Sequence, residues 1–94
     1  MPYFAVFYEE LVENYVERRK AFRDEHLRLA RESHARGELL LGGALAEPVD
    51  GALLIFNAKD AEAVQEFIQR DPYVSHGMVK RWRIRRWTVV VGNQ

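Results

Sequence analysis

The apolar segment at residues 3–8 constrains the fold most, because both of its alternating sets of side chains are apolar. The two sets are Tyr3, Ala5 and Phe7 on one side and Phe4, Val6 and Tyr8 on the other. Successive side chains of a strand point to opposite faces of a sheet. The segment therefore predicts a strand that is covered on both faces, and the rest of the fold has to supply two covers.

Composition indicates one globular domain spanning residues 1–94. The chain is 48% hydrophobic and contains no cysteine, so disulfides, thiolate catalysis and cysteine metal sites are excluded. No apolar run approaches the ~20 residues that span a bilayer, and the first residues lack the pattern of a signal peptide. Fourteen basic residues balance fourteen acidic ones. We therefore expect a cytoplasmic protein without a nucleic-acid or membrane partner.

Residues 14–35 predict a long helix that ends at Gly37, a residue that readily adopts a left-handed cap. His26 falls on the apolar stripe of this helix. The other members of that stripe are Tyr15, Phe22, Leu29 and Ser33. An imidazole partly withdrawn from water and paired with a carboxylate can transfer protons near neutral pH. The alternative is a packed histidine whose ring bonds to a backbone carbonyl.

The other side of the predicted helix is charged and is expected to face solvent. Its members are Glu17, Arg18, Lys20, Asp24, Arg28, Arg31 and Glu32. Asp24 and Arg28 are spaced for an ion pair between successive turns.

Residues 39–45 and 52–58 predict a hairpin, because the turn-forming residues 47–51 separate two apolar runs. Gly42 and Gly43 suggest a bulge, or a place where a backbone or a ligand comes close. Asp60 is suited to cap a second helix, and Val64, Phe67 and Ile68 form its inward face.

That second helix must stop by Asp71, because Pro72 disfavours the helical conformation in the residue before it. Residues 78–91 predict the last strand. Its alternation slips at Arg86 and Trp87, which predicts a bulge or the point where the strand leaves the sheet.

The resulting order, βαββαβ, predicts a ferredoxin-like α+β fold: a four-stranded antiparallel sheet with two helices on one face. Those helices cover only one side of strands that are apolar on both. We expect a second copy of the chain to cover the other side, which gives a homodimer packed sheet to sheet.

Two motifs, Arg23-x-x-His26-Leu27 and Asp71-Pro72-Tyr73-x-x-x-Gly77, resemble the YciI-like (YCII-related) family. The segment Gly37-Glu38-Leu39-Leu40, with Gly42-Gly43 close behind, and the aliphatic third strand add to this resemblance. It runs from the first strand to about Trp87. Two positions differ: Ala44 follows Gly43 where the family often has proline, and Arg86 stands where the family has proline before the final aromatic residue.

The resemblance implies a dimeric ferredoxin-like protein related to muconolactone isomerases and small dimeric monooxygenases. It also implies an active site built from the helix histidine and the aspartate of the Asp-Pro turn, here His26 and Asp71. Some relatives are linked to dehydrochlorination of a hydroxylated aromatic ring. Asp71 has a second interpretation as the N-cap of a short helical turn that begins at Pro72. Both roles are compatible, because a capped carboxylate is held rigidly and stays ionised.

Four further residues are predicted to bind the substrate. Arg23 lies one turn before His26 and is suited to hold a carboxylate or phenolate, although it also fits a solvated arginine paired to a surface acid. Gly43, Tyr73 and Ser75 lie in or beside the motifs.

Other chemistries fit the sequence less well. Ser75 and His76 are adjacent, which seldom allows a nucleophile to bond its base. His26 and His34 are two helical turns apart, too far to share one metal ion. The basic run formed by Lys80, Arg81, Arg83, Arg85 and Arg86 lacks the glycine-aromatic pattern of RNA-binding sheets, so we interpret it as a charged edge strand.

Two functions remain open. The first is a small cofactor-independent enzyme that uses His26 and Asp71 for isomerisation or HX elimination on a small, aromatic or enolisable molecule. The second is a non-catalytic module for small-ligand binding or dimerisation.

Overall fold

A computed structural model of the chain describes residues 2–92. The elements are β1 (Tyr3–Leu11), α1 (Tyr15–Arg18), a 3₁₀ turn (Arg19–Ala21), α2 (Arg23–Ala35), β2 (Leu39–Ala44), β3 (Ala52–Asn57), α3 (Ala61–Arg70), α4 (Pro72–Ser75) and β4 (Val79–Trp87). The predicted βαββαβ order is confirmed, with each helical stretch divided into pieces. None of the helices within residues 2–92 is long and apolar enough to cross a bilayer.

The four strands form one antiparallel sheet in the order β2-β3-β1-β4, which is the ferredoxin-like arrangement. The predicted hairpin of β2 and β3 is confirmed, with Gly43 opposite Leu53 and Ala44 opposite Ala52. The register shifts between Leu39 and Leu41, so a bulge lies just before the paired glycines. Strand β2 is one edge of the sheet.

The hydrophobic core lies between the helices and one face of the sheet. Strand β1 contributes Phe4, Val6 and Tyr8, and α3 contributes its predicted inward face. The α3 residues are Val64, Phe67 and Ile68, and the other main members are Leu29, Leu54, Phe56 and Met78. Each large apolar side chain that is fully buried stabilises the fold by about 1.5–3 kcal/mol. The helices therefore supply one of the two covers that β1 requires.

The opposite face of the sheet, which we call the outer face, is also largely apolar. The strand registers place Tyr3, Ala5, Phe7, Leu41, Leu53, Ile55, Arg83, Arg85 and Trp87 on it. None of these residues belongs to the core beneath the helices. Leu41 is 70% exposed and Trp87 is 47% exposed. The Arg83 guanidinium lies over the Phe7 ring, 4.9 Å from its centroid. At the centre of the face Ala5 is only 7% exposed and Ile55 only 8% exposed. Within residues 2–92, the second cover that β1 predicts is therefore partial.

Three details of the sequence-based prediction were wrong. The long helix is interrupted at Phe22 (φ −119°, ψ 1°), whose ring stacks on His76 with 4.3 Å between centroids. Asp24 does not pair with Arg28, which instead bonds to Glu25 and Glu32, one turn away on either side.

The last strand is also shorter than predicted, and it ends at Trp87. Its pairing with β1 is regular through Arg86 and Trp87, so no bulge lies there. The other alternative, that the strand leaves the sheet at this point, is correct. The irregular register lies at the other end of this pairing, between Tyr8 and Leu11 of β1.

Candidate active site

Asp71 lies at the junction of α3 and α4, in an extended conformation that Pro72 favours in its predecessor. Its Oδ1 accepts a hydrogen bond from the backbone N–H of Tyr73 at 3.0 Å, which confirms the predicted cap of α4. The side chain is 0% exposed. A buried carboxylate is costly unless several donors bond to it, so its other partners decide what the residue does.

Two side chains from distant parts of the chain complete the surroundings of Asp71. The Nδ1 of His26, in the first turns of α2, lies 2.8 Å from Oδ1. The hydroxyl of Tyr8, from β1, donates to Oδ2 at 2.6 Å. With the Tyr73 N–H, Asp71 thus has three hydrogen-bond donors. The prediction that His26 and Asp71 meet is confirmed, while their catalytic role remains a prediction.

The contact with Asp71 also fixes the orientation of His26. Because a carboxylate only accepts hydrogen bonds, we assign the imidazole proton to Nδ1, which leaves Nε2 with a lone pair. The ring stacks on Tyr73, with 3.9 Å between centroids and 10° between planes. The His26 side chain remains 18% exposed. The imidazole is therefore held on two sides and keeps one nitrogen for a ligand.

Tyr8 was not predicted as a site residue. Burial raises its pKa, and the neighbouring Asp71 carboxylate raises it further, so the phenol stays protonated and able to donate. The sequence carried one signal: a tyrosine on the core face of a buried strand needs a partner for its hydroxyl. The sequence does not show that this partner is Asp71, which lies 63 residues further along the chain.

A cavity of about 400 Å³ opens beside His26, between α2, the α1 region and the edge strand β2. This volume lies within the range of small-molecule sites. Aliphatic side chains and glycines form much of its wall. They include Leu27, Ala30, Leu40, Leu41, Gly42 and Gly43. Gly43, predicted to bind substrate, therefore lines the cavity, and a Cβ added there would meet no atom within 4 Å.

The charged groups that line the cavity are all basic. They are Arg19, Arg23 and Arg31, and the imidazoles of His26 and His34 line the cavity as well. No aspartate or glutamate of residues 2–92 lines it. Such a cavity favours an anionic ligand. Arg23 was a predicted site residue, whereas Arg31 was assigned to the solvated face and His34 was considered only as a metal ligand.

Tyr73, the last predicted binding residue on this wall, has an unsatisfied hydroxyl. Its Oη is buried and has no hydrogen-bond partner among the described residues. Burial raises the pKa of Tyr73, although the charge of Arg19 and the charge and hydrogen bonding of Arg23 oppose this rise. Because a guanidinium only donates, Arg23 offers no acceptor for the proton of the hydroxyl. The hydroxyl therefore remains a protonated donor, and a buried donor without an acceptor is costly to the fold. An oxygen atom of a bound ligand would satisfy it.

Some residues that the sequence analysis considered for a site lie outside the cavity. Ser75 is exposed at the end of α4 and does not line the cavity. Its neighbour His76 stacks on Phe22. No group of three histidine, aspartate or glutamate side chains within residues 2–92 is arranged to hold a metal ion. In the basic run, Arg83 forms an ion pair with Glu9 at 3.3 Å.

Comparison with known proteins agrees with this fold. The sequence profile of the YCII-related domain matches residues 1–88. Among solved structures, the chain is similar to 5-chloro-2-hydroxyhydroquinone dehydrochlorinase (TftG) from Burkholderia phenoliruptrix AC1100, solved in complex with 2,5-dihydroxybenzoquinone. The TM-score is 0.76 and the identity is 19%, over 92% of this chain and 93% of the other. Comparison with curated proteins gave no significant match.

Proposed function

The chain belongs to the YCII-related domain family, and from this premise we propose that it is a small acid–base enzyme in which His26 moves a proton on a ring-sized molecule. One observation carries the proposal. The 2.8 Å contact between Nδ1 and Asp71 leaves Nε2 of His26 as the free nitrogen of a ring that lines the cavity. A positioned imidazole of this kind contributes typically ~10²–10⁴-fold to proton-transfer reactions.

In the proposed reaction, Nε2 takes a proton from the bound molecule and the imidazolium that forms is stabilised by Asp71. A buried carboxylate on the opposite nitrogen holds the ring in the correct tautomer and offsets the new positive charge. The electron pair left on the ligand moves into its ring. It then either returns to another atom together with the proton, which is isomerisation, or expels a halide with its bonding pair, which is HX elimination.

The substrate that fits this site best is a hydroxylated ring that develops negative charge on oxygen. Arg19 and Arg23 and the unsatisfied Tyr73 hydroxyl supply charge and a hydrogen-bond donor for such an oxygen. The name of TftG describes a dehydrochlorinase of a chlorinated hydroxyhydroquinone, and that protein shares the fold. We propose the same class of reaction here: loss of HX, or tautomerisation, on a small hydroxylated ring.

The first experiment measures turnover directly. In one assay, purified protein is mixed anaerobically with 5-chloro-2-hydroxyhydroquinone and the release of chloride is followed. In the other, unchlorinated hydroxyhydroquinone is incubated with the protein in D₂O, and NMR follows the exchange of its ring protons for deuterium. We expect wild-type protein to accelerate at least one of these reactions, and His26→Gln to lower the rate by about 10²–10⁴-fold. Arg28→Gln is the matched control, because Arg28 lies on the same helix and, among residues 2–92, bonds to Glu25 and Glu32. It should retain the wild-type rate.

The second experiment needs no substrate. In ¹⁵N NMR spectra of neutral His26, wild-type protein should show the proton on Nδ1, whereas Asp71→Asn should lose this strict preference. A wild-type imidazole protonated on Nε2 would contradict the proposed base. If neither reaction is accelerated while the rings still bind, the alternative of a non-catalytic ligand-binding module is the correct one.

We also propose that the protein forms a homodimer through its outer face. At the centre of this face Phe7 and Leu53 are partly exposed beside the buried Ala5 and Ile55. The exposed side chains of Leu41 and Trp87 flank them. Contiguous apolar surface of this kind marks an interaction site, and a second copy presents a matching surface by symmetry.

A further inference from the structure

The cavity follows one stripe of α2 rather than a single turn of it. The helix residues that line the cavity recur at spacings of one, three and four: Arg23, His26, Leu27, Ala30, Arg31 and His34. Arg23 and Arg31 are eight residues apart, which is about 12 Å along a helix. His26 lies between them. The cavity is therefore a groove with the imidazole inside it and an arginine toward each end.

The two ends of the groove offer different groups to an anion. The near end, beside His26, has Arg19, Arg23 and the unsatisfied hydroxyl of Tyr73. The far end has Arg31 and His34. The Nδ1 of His34 bonds to the carbonyl oxygen of Leu39 at 2.7 Å, so Nδ1 carries the proton and Nε2 holds a lone pair that accepts hydrogen bonds. The anion-binding group of this end is therefore Arg31.

Within residues 2–92, no carboxylate forms an ion pair with the arginines of the groove. Neither Arg23 nor Arg31 has a carboxylate oxygen within 4.0 Å among the described residues, and neither has Arg19. The remaining arginine of α2, which does not line the groove, differs in this respect. Arg28 faces away from the groove and is held by Glu25 at 3.4 Å and Glu32 at 3.0 Å. On this helix, the arginine outside the groove is paired, whereas the two that line the groove are not.

The wall between the two ends of the groove is apolar, which suits the faces of a flat ring. Leu27 and Ala30 of α2 face the edge strand, where Leu40, Gly42 and Gly43 contribute no charged group. A ring can lie between these apolar surfaces only if its acidic substituents point toward the ends. A single substituent would leave one arginine end of the groove without a counter-ion.

We propose that the groove recognises a doubly anionic ring, with one acidic group at Arg19, Arg23 and Tyr73 and a second acidic group at Arg31. The proposal rests on the proposed function only in placing the reacting atom at His26; the far-end subsite itself is a binding property. It narrows the substrate class from hydroxylated rings in general to rings that carry a phenolate or enolate on one side and a carboxylate or second oxyanion on the other.

The test compares two ring-shaped probes of nearly equal size: terephthalate, which has a carboxylate at each end, and 4-methylbenzoate, which has one. Binding to the wild-type protein is measured by calorimetry and by NMR shifts of the backbone amides. We expect terephthalate to bind about tenfold more tightly, as is typical of one additional charge-assisted contact. Added salt should reduce this difference, because it screens exposed charges.

Variants assign the difference to the far end. Arg31→Gln should bind terephthalate as weakly as 4-methylbenzoate and leave the affinity for 4-methylbenzoate unchanged. Arg28→Gln removes an arginine from the same helix outside the groove and should keep the tenfold difference. Arg31→Lys keeps the charge and should retain part of it.

The inference is overturned if terephthalate binds no more tightly than 4-methylbenzoate, or if Arg31→Gln weakens both probes equally. These results are independent of turnover. If the protein prefers terephthalate but catalyses neither reaction, the proposed function alone is overturned. If it turns over singly charged rings and shows no preference for the dianion, this inference alone is overturned.

Discussion

At the scale of single residues, the carboxylate of Asp71 serves three partners at once. It caps α4 through the Tyr73 N–H, holds the imidazole of His26 and accepts the hydroxyl of Tyr8. A substitution at Asp71 therefore alters the fold and the site together. Tyr8 is the more informative position, because it contacts the same carboxylate without capping a helix.

Replacing Tyr8 by phenylalanine should destabilise the protein by about 1–3 kcal/mol near neutral pH, since a buried Oδ2 loses its partner. It should also change the dependence on pH. Burial and Asp71 raise the pKa of Tyr8 above its usual value of 10, so its contribution to stability is complete below pH 10. Above pH 10 the unfolded chain loses this proton and the folded chain keeps it. Each further pH unit then removes about 1.4 kcal/mol per such tyrosine.

Urea unfolding between pH 8 and pH 11 measures both effects. The free energy of unfolding of wild-type protein should fall more steeply above pH 10 than that of Tyr8→Phe, by about 1.4 kcal/mol per pH unit. Parallel curves for the two proteins would show that the Tyr8 hydroxyl is not held protonated by the fold.

The sequence allowed some site residues to be predicted and not others. His26 stood out as an ionisable group on an apolar stripe, and Asp71 stood out through its position before Pro72. Arg31 did not, because a charged residue between other charged residues reads as solvated. Only the position of β2 against α2 shows that one side of this surface is a groove.

At the scale of elements, the helix ends follow local chemistry. Asp60 caps α3 by accepting a hydrogen bond from the Ala63 N–H at 2.9 Å, as its position in the sequence predicts. The interruption at Phe22 follows from a tertiary contact instead. Its ring stacks on His76, 54 residues further on, and sequence periodicity carries no record of such a partner.

Removing the cap of α3 gives a prediction at this scale. Asp60→Ala should lower the free energy of unfolding by about 1 kcal/mol, because it leaves a backbone donor of the first turn unsatisfied. Asp60→Asn keeps an acceptor at the same place and should remain close to wild type. Thermal and urea unfolding measure both variants. Equal losses in the two variants would mean that charge at this position matters, rather than the capping bond.

At the scale of the whole molecule, the outer face accounts for what the first strand requires. A strand that is apolar on both sides was predicted to need two covers, and the described chain supplies one in full and the other in part. The sequence could predict this deficit because alternation along β1 and β3 is readable without coordinates. It could not place Arg83 over Phe7, which shields part of the same face.

The proposed dimer is tested by placing a charge at the centre of the outer face. Leu53 lies between Phe7 and Gly43 in the sheet, so Leu53→Lys should abolish association through desolvation and repulsion between two symmetry-related lysines. Light scattering after size-exclusion chromatography at micromolar concentration should give twice 11.0 kDa for the wild type and 11.0 kDa for the variant. Val16→Lys makes the same substitution at an exposed apolar residue of α1 and should leave the mass at twice 11.0 kDa. A wild-type mass of 11.0 kDa would contradict the dimer.

Leu41 belongs to two surfaces at once, since it lines the cavity and also lies on the outer face of the edge strand. In a dimer formed through that face, the second copy would press on a side chain that borders the bound ring. Ligand affinity and self-association would then be thermodynamically linked, and the linkage is reciprocal: a ring that favours the position of Leu41 in the pair must tighten the pair by the same factor. A sheet edge that belongs to both surfaces thus makes protein concentration a variable in every ligand titration.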